Sequence, residues 1–279
     1  SLKHAWRRPL ISTIHATERG RQGGYIGGGH AEQVNHIEWW LTYESWRVIA
    51  CSHFMAQQIN TYFSTPLDKI DVVANGVYAY PDPFASEDER LTFRRRYAQD
   101  DEPLVFYVGR LVYEKGLHTL LDCWPQVQAV FPHAQLVIAG TGSYLDTLKH
   151  RAWALGIGSS VNFAGFISDE ERDKLYHCAD VATFPSLYEP FGIVALEAMA
   201  AGVPVISTDA GGLREINVEG ETGYMGMVGD VDAMSAKALS ILRDDSTLAE
   251  FKRRAAAHAR QFDINNIVPI YEKLYQRFS

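Results

Sequence analysis

Apolar positions change rhythm along this chain. Short runs rich in β-branched residues, at 104–108, 135–139, 161–164, 181–184 and 203–207, predict strands. Between them, residues 117–130, 144–155, 169–178 and 193–201 repeat apolar positions at helical spacing. Strand and helix in alternation at this spacing predict a parallel sheet with right-handed crossovers. The stretch from about Pro83 to Phe262 therefore reads as one complete doubly wound, Rossmann-like α/β unit.

The first 80 residues carry part of the same alternation. Residues 9–15, 48–51 and 70–74 predict strands, with a helix over about 31–46. Eighty residues fall short of the roughly 100–150 of such a unit, and the chain opens on Ser1 and not Met, so a preceding segment is expected. Tyr80-Pro81-Asp82-Pro83 marks a composition break before a charged helix at 86–97. A last helix, 267–278, follows Phe262-Asp263-Ile264-Asn265 and is expected to pack back on the first unit. The predicted organisation is a partial α/β domain over 1–80, a complete one over 81–262, and a closing helix within 263–279.

Composition narrows the function. Hydrophobic residues make up 47% and charged residues 22% of 279, which suits a globular protein and excludes a disordered or disulfide-stapled chain. Lys plus Arg number 26 against 34 Asp plus Glu, a net charge of −8. No broad basic face is available for nucleic acid or anionic membrane. Any anionic ligand must meet a few local cations or backbone dipoles. Cys51, Cys123 and Cys178 are far apart and form no CxxC pair, which predicts buried reduced thiols in a cytoplasmic protein. No apolar run is long enough to predict a transmembrane helix, and no signal peptide is read at the start. Arg94-Arg95-Arg96, the one basic run, predicts a solvated helix face.

Candidate chemistry gathers where strands end. In Tyr188-Glu189-Pro190-Phe191-Gly192-Ile193-Val194-Ala195-Leu196-Glu197, a loop with Glu189 leads into a helix opened by Gly192. The free amides of Gly192, Ile193 and Val194 would face an anion such as a phosphate. Glu197, over one helical turn further in, could reach hydroxyl groups beyond it. Without further context the two carboxylates fit ligand binding and plain surface roles equally. Gly109-Arg110 and Lys115-Gly116 follow the strand at 104–108, and two cations at the carboxyl edge of such a sheet would neutralise a diphosphate. Gly140-Thr141-Gly142 and Gly165-Phe166 end the next two strands. The third glycine of a dinucleotide fingerprint is missing, which argues against a nicotinamide enzyme.

Glu189 and Glu197 form an E-x7-E pair. With Gly109-Arg110, Lys115-Gly116, Gly140-x-Gly142, Gly211-Gly212-x-x-Glu215 and Thr222-Gly223-Tyr224, the chain resembles the retaining GT-B glycosyltransferases of family four, in their glycogen-synthase-like branch. The resemblance implies that 81–262 binds a nucleotide-sugar donor and that 1–80 is part of the acceptor-side domain. Arg110 and Lys115 would grip the donor diphosphate, Glu189 would hold sugar hydroxyls, and Glu197 the ribose. Gly109, Gly140, Gly142, Phe191, Gly192, Ile193 and Val194 would complete the donor contacts, and Phe166 and Ile167 would touch the base. His15, in a Thr-x-His context at the end of the first predicted strand, would face the donor sugar across the cleft. The implied activity is transfer of a hexose, from UDP- or ADP-glucose, to a glycan with retention, without cofactor or metal. The family's glycine-rich donor loop near the start of its first domain has no counterpart in this sequence. A noncatalytic nucleotide-sugar or glycan-binding chain and a nucleotide-sugar epimerase are the alternatives.

Three features invite other readings. Asp230-Val231-Asp232 spells a metal-binding D-x-D, but its place before a helix at 233–242 predicts an N-cap. The Gly23-to-Gly29 run is expected to be a mobile loop near the acceptor cleft rather than a phosphate cradle. Trp39, Trp40 and Trp46 could be sugar platforms, and their helical spacing favours core packing.

Overall fold

The computed structural model describes residues 8–78 and 81–278. Ala79 and Tyr80, at the composition break, and Ser1 lie outside the described residues.

The first sheet is parallel, in the order β1 (Ile11–Ile14), β2 (Arg47–Ala50), β3 (Ile70–Val72). Its crossovers are short helix α1 (Glu18–Arg21) with α2 (His30–Glu44), and then α3 (His53–Phe63). β2 is buried on both faces, as expected of a parallel strand covered twice. Val48 and Ala50 share a core with Met55, Ile59 and Phe63 of α3. Ile49 on the opposite face packs with Val73 and with Ile267 and Leu274.

The second sheet holds six parallel strands in the order β6-β5-β4-β7-β8-β9. These are β4 (Leu104–Val108), β5 (Gln135–Ala139), β6 (Val161–Gly165), β7 (Val181–Phe184), β8 (Val205–Thr208) and β9 (Gly223–Gly226). The connecting helices are α5 (Leu117–Val130), α6 (Leu145–Ala154), α7 (Asp169–Cys178), α8 (Ile193–Ala200) and the single turn α9 (Leu213–Ile216). Helix α4 (Glu87–Arg94) precedes the sheet, and α10 (Val231–Leu242), α11 (Asp245–Ala259) and α12 (Ile264–Gln276) follow it. Central strands β4, β7 and β8 are almost wholly buried, with Thr183, Ser207 and Thr208 as buried polar residues among their apolar positions. Strand order reverses between β4 and β7. A doubly wound sheet opens a ligand crevice at that point, beyond the carboxyl ends of the strands.

The two halves are joined first where the chain crosses between them. Val77 N–H donates to Phe262 O and Ile264 N–H donates to Val77 O, both at 2.9 Å, which ties together the two chain crossings. Helix α12 then lies on the first sheet. It starts three residues earlier than the spacing predicts, because the Asp263 carboxylate caps it through Asn265 N–H at 2.8 Å.

Some expectations are corrected. β8 begins at Val205 and not Val203: Val203 N–H turns back to Ala198 O at 2.9 Å, and Pro204 has no N–H to give a ladder. Arg94 is no solvated residue. It is 8% exposed, forms an ion pair with Asp180 at 2.9 Å, and donates to Glu102 O and Cys178 O. Arg95 and Arg96 pair at the surface with Asp100 and Glu171. Trp39, Trp40 and Trp46 do not pack in the core; they are 37%, 46% and 52% exposed. Helical periodicity locates a face, but β1 is a sheet edge and α2 buries only Thr42, so Trp39 and Trp40 stay at the surface, as does Trp46 just beyond the helix. Cys51, Cys123 and Cys178 are free and buried, and burial pushes their thiols up to about 11, 12 and 11. Asp230 caps α10 through Ala233 N–H at 2.9 Å. Arg19 holds the Gly23-to-Gly29 run by donating to Gly24 O at 2.9 Å.

Candidate active site

The loops after β4, β5, β6 and β7 border a trough at the reversal point. Its two compartments, of about 350 and 230 Å³, share Val108, Gly109 and Arg110. The larger is bounded by Gly140, Thr141, Phe166, Ile167, Asp169 and Arg172, and the smaller by Lys115, Ser186, Glu189, Ile193 and Val194.

The smaller compartment holds a close ion pair. Lys115 Nζ donates to Glu189 Oε2 at 2.7 Å, with side-chain exposures of 16% and 10%. Ser186 Oγ donates to the same oxygen at 3.3 Å. No hydrogen bond engages Glu189 Oε1 among the described residues, which leaves it to accept from a ligand hydroxyl. An ammonium has three donors, so Lys115 can hold Glu189 and a phosphate oxygen together. Arg110 stands at the rim, 65% exposed and 3.5 Å from Glu114. So loose a surface pair is worth little and can be exchanged for an anion at small cost.

Gly192 opens α8 with φ of 101° and no side-chain cap, so first-turn amides face the compartment that Ile193 and Val194 line. The φ of 101° favours glycine here, and a Cβ would also come within 2.7 Å of the Leu213 side chain. Glu197 sits one turn beyond Ile193 and Val194, half-buried, with Tyr176 Oη donating to its Oε2 at 3.4 Å. Phe191 is buried with its ring 6.3 Å from Phe262, so only its backbone can serve a ligand.

Tyr107 lies beneath. Its phenol donates to Arg110 O at 3.2 Å and steadies the loop that carries Arg110. Burial, with the Glu189 charge next, raises its pKa, so it is a donor throughout the neutral range. Tyr107→Phe should weaken nucleotide binding about threefold to tenfold, the loss of one such bond, read by calorimetric titration.

Of the residues singled out in the sequence, Gly109, Arg110, Lys115, Gly140, Phe166, Ile167, Glu189, Ile193 and Val194 border the trough. Gly142 does not border it. Its missing Cβ makes room for the Leu111 carbonyl at 2.2 Å. His15 follows β1 and is exposed; its carbonyl accepts from Cys51 Sγ at 3.8 Å, and that thiol lies 3.9 Å from Pro190 O. The chain at His15 thus stands across from the Glu189-Pro190 loop. Ser186, Asp169 and Arg172 carry no sequence signal of their own, and Thr141 appears only between two glycines; Thr141 and Ser186 follow predicted strand ends by two residues, Asp169 and Arg172 by five and eight. Among the described residues no group of His, Cys, Asp and Glu side chains is placed to hold a metal ion, and no helix is long and apolar enough to cross a membrane.

Residues 89–258 match the family described as Glycosyl transferases group 1, and residues 1–79 match Glycosyltransferase Family 4. An uncharacterized glycosyltransferase of Methanocaldococcus jannaschii is 43% identical over 218 residues, covering 77% of this chain and 55% of that protein. Glycogen synthase of Mycobacterium tuberculosis is 37% identical over 269 residues, covering 96% of this chain and 63% of its own. The chain therefore spans between 55% and 63% of the length of these curated relatives. Anabaena HepE, solved in complex with UDP and glucose, superposes with a TM-score of 0.86 at 23% identity, over 98% of this chain and 73% of that one. Sucrose-phosphate synthase of Thermosynechococcus elongatus gives 0.82 at 25% identity, over 96% and 67%. By sequence and by fold alike, this chain belongs to the group 1 glycosyltransferases and has the GT-B architecture.

Proposed function

We propose that the second half binds a nucleotide-diphosphate hexose, UDP- or ADP-glucose, and that the hexose passes to a hydroxyl of a glycan acceptor with retention. The observation that carries this reading is the trough itself. One compartment offers Lys115, Glu189 and an uncapped helix start, the other an exposed aromatic at Phe166, and Arg110 stands between them. The similarity to glycogen synthase supports a glucan acceptor, and the HepE complex with UDP and glucose makes UDP the first nucleotide to test.

The chemistry follows from charge. The bond between the anomeric carbon and the diphosphate oxygen breaks with its electron pair on the diphosphate. The acceptor oxygen bonds to that carbon from the same face, and its proton goes to the departing phosphate oxygen. Arg110, Lys115 and the α8 amides stabilise the leaving charge by fixed electrostatics. Glu189 Oε1 holds a sugar hydroxyl on the reactive face, and His15 approaches from the other half. No protein nucleophile is assigned. The proposed step requires no metal, so transfer should be unchanged by EDTA.

Calorimetric titration with UDP, ADP and GDP, then with the matching glucose donors, tests the reading. Glu197→Ala should weaken nucleotide binding about tenfold to a hundredfold, the value of bonds to a carboxylate. Glu189→Ala should slow transfer roughly a hundredfold or more with modest loss of nucleotide affinity. Equal nucleotide affinity in Glu197→Ala and the parent would remove Glu197 from the site. Nucleotide binding without any turnover would favour the noncatalytic reading, and a changed sugar without an acceptor product would favour an epimerase.

A further inference from the structure

Outside the trough, one carboxylate of the second half makes its bonds in the first. Glu215, on the single turn α9, accepts from His53 N–H at 2.9 Å through Oε2 and from Phe54 N–H at 2.8 Å through Oε1. These are the first two amides of α3. Ser52, the N-cap, takes the third through Met55 N–H at 3.0 Å, and its own carbonyl takes the fourth from Ala56 at 3.0 Å. The start of α3 is therefore fully satisfied, but half of its cap comes from about 160 residues away. A carboxylate is the group that the positive end of a helix favours, and its hydrogen bonds are charge-assisted.

The same junction grips the Glu189 loop. Ser52 Oγ donates to Pro190 O at 2.6 Å, and Gly212 N–H donates to Glu189 O at 2.8 Å. Gly211 has no room for a side chain: a Cβ would lie 2.3 Å from Glu189 O and 2.8 Å from the Phe54 ring. The start of α3, the Glu189-Pro190 loop and the Gly211-to-Glu215 turn are thus one bonded unit spanning both halves.

We propose that Glu215 is a positioning residue for group transfer. By capping α3 from the opposite half, it fixes the carboxyl ends of β1 and β2, where His15 and Cys51 lie, against the loop that carries Glu189. The acceptor side and the donor sugar are then held in register. This inference rests on the donor and acceptor reading above. The geometry of the junction stands without it.

Amide hydrogen exchange resolved at His53 and Phe54, together with UDP titration and UDP-glucose consumption, tests the assignment in Glu215→Ala and Glu215→Gln. In Glu215→Ala the two amides should exchange at least tenfold faster, with UDP affinity within twofold of the parent. The kcat for donor consumption should fall at least tenfold with donor KM unchanged. Glu215→Gln keeps oxygen acceptance without charge and should recover part of both losses; it also serves if the alanine variant fails to fold. Unchanged exchange at His53 and Phe54, or a kcat equal to the parent's, would overturn the proposal. A parent that binds no UDP would overturn the donor reading instead, and the exchange result would still judge the junction.

Discussion

Lys115→Met should lower nucleotide affinity at least a hundredfold and destabilise the protein by about 3 kcal/mol, the low end of the range for removing one partner of a buried ion pair. The cause is the 2.7 Å bond to Glu189, with both side chains largely withdrawn from water. Met conserves the aliphatic stem but leaves the Glu189 carboxylate with only the 3.3 Å bond from Ser186. It also removes the cation from the compartment that the α8 start faces. A melting temperature lower by roughly 6–10 °C would register the first effect, and calorimetry with UDP the second. The double variant Lys115→Met/Glu189→Gln separates them. It should regain most of the stability, because no buried charge is left unpaired, and none of the binding. If Lys115→Met melts and binds as the parent does, the pair is not formed in solution.

Gly140→Ala should be severely disruptive. At a φ of 131°, its Cβ would stand 1.8 Å from Gly109 O and 2.9 Å from Gly109 C, which are backbone atoms that no rotamer can move. β4 and β5 are in register up to Val108 opposite Ala139, and Gly140 N–H donates to Gly165 O at 2.6 Å. The strand ends must separate to admit the methyl, and the trough lies between them. Loss of about 4 kcal/mol or more is expected, or failure to fold, with nucleotide binding lost in any folded fraction. Gly158→Ala is the matched control. Nothing lies within 4 Å of its Cβ, and its stability should stay within about 0.5 kcal/mol. Parent-like denaturation of Gly140→Ala would contradict the close approach of these strands.

Much of the second half is legible in short windows of sequence. β4, β5, β7, α5 and α7 begin and end where the apolar pattern predicts, because a central parallel strand is largely apolar and its crossover helices are apolar on one face. Helix α3 and strand β9 are not among the predicted elements. β9 is only Gly-Tyr-Met-Gly, with no β-branched run to reveal it. Trp39 and Trp40 of α2, with Trp46 just beyond it, show the converse failure. Their spacing is helical and their composition is that of a core, yet whether a face is covered depends on what lies over it.

The site divides in the same way. Gly109-Arg110, Lys115 and Glu189 are recognisable because each follows a strand end or opens a helix, and those places are set by local pattern. By itself, then, the sequence determined the alternation of strand and helix, the chemistry at each strand end, and the resemblance to a family. The folded chain alone decided which of those ends meet. Strand order puts the loops after β4 and β7 side by side, which joins Lys115 to Glu189 across 74 positions and makes an ion pair of two groups that each read as a ligand contact. It also turns Arg94 inward to Asp180, 86 positions away, and carries Glu215 to amides 161 and 162 positions away. Periodicity is a property of neighbours in the chain, whereas these contacts depend on the path of everything between them, and that path exists only once the sheets have formed.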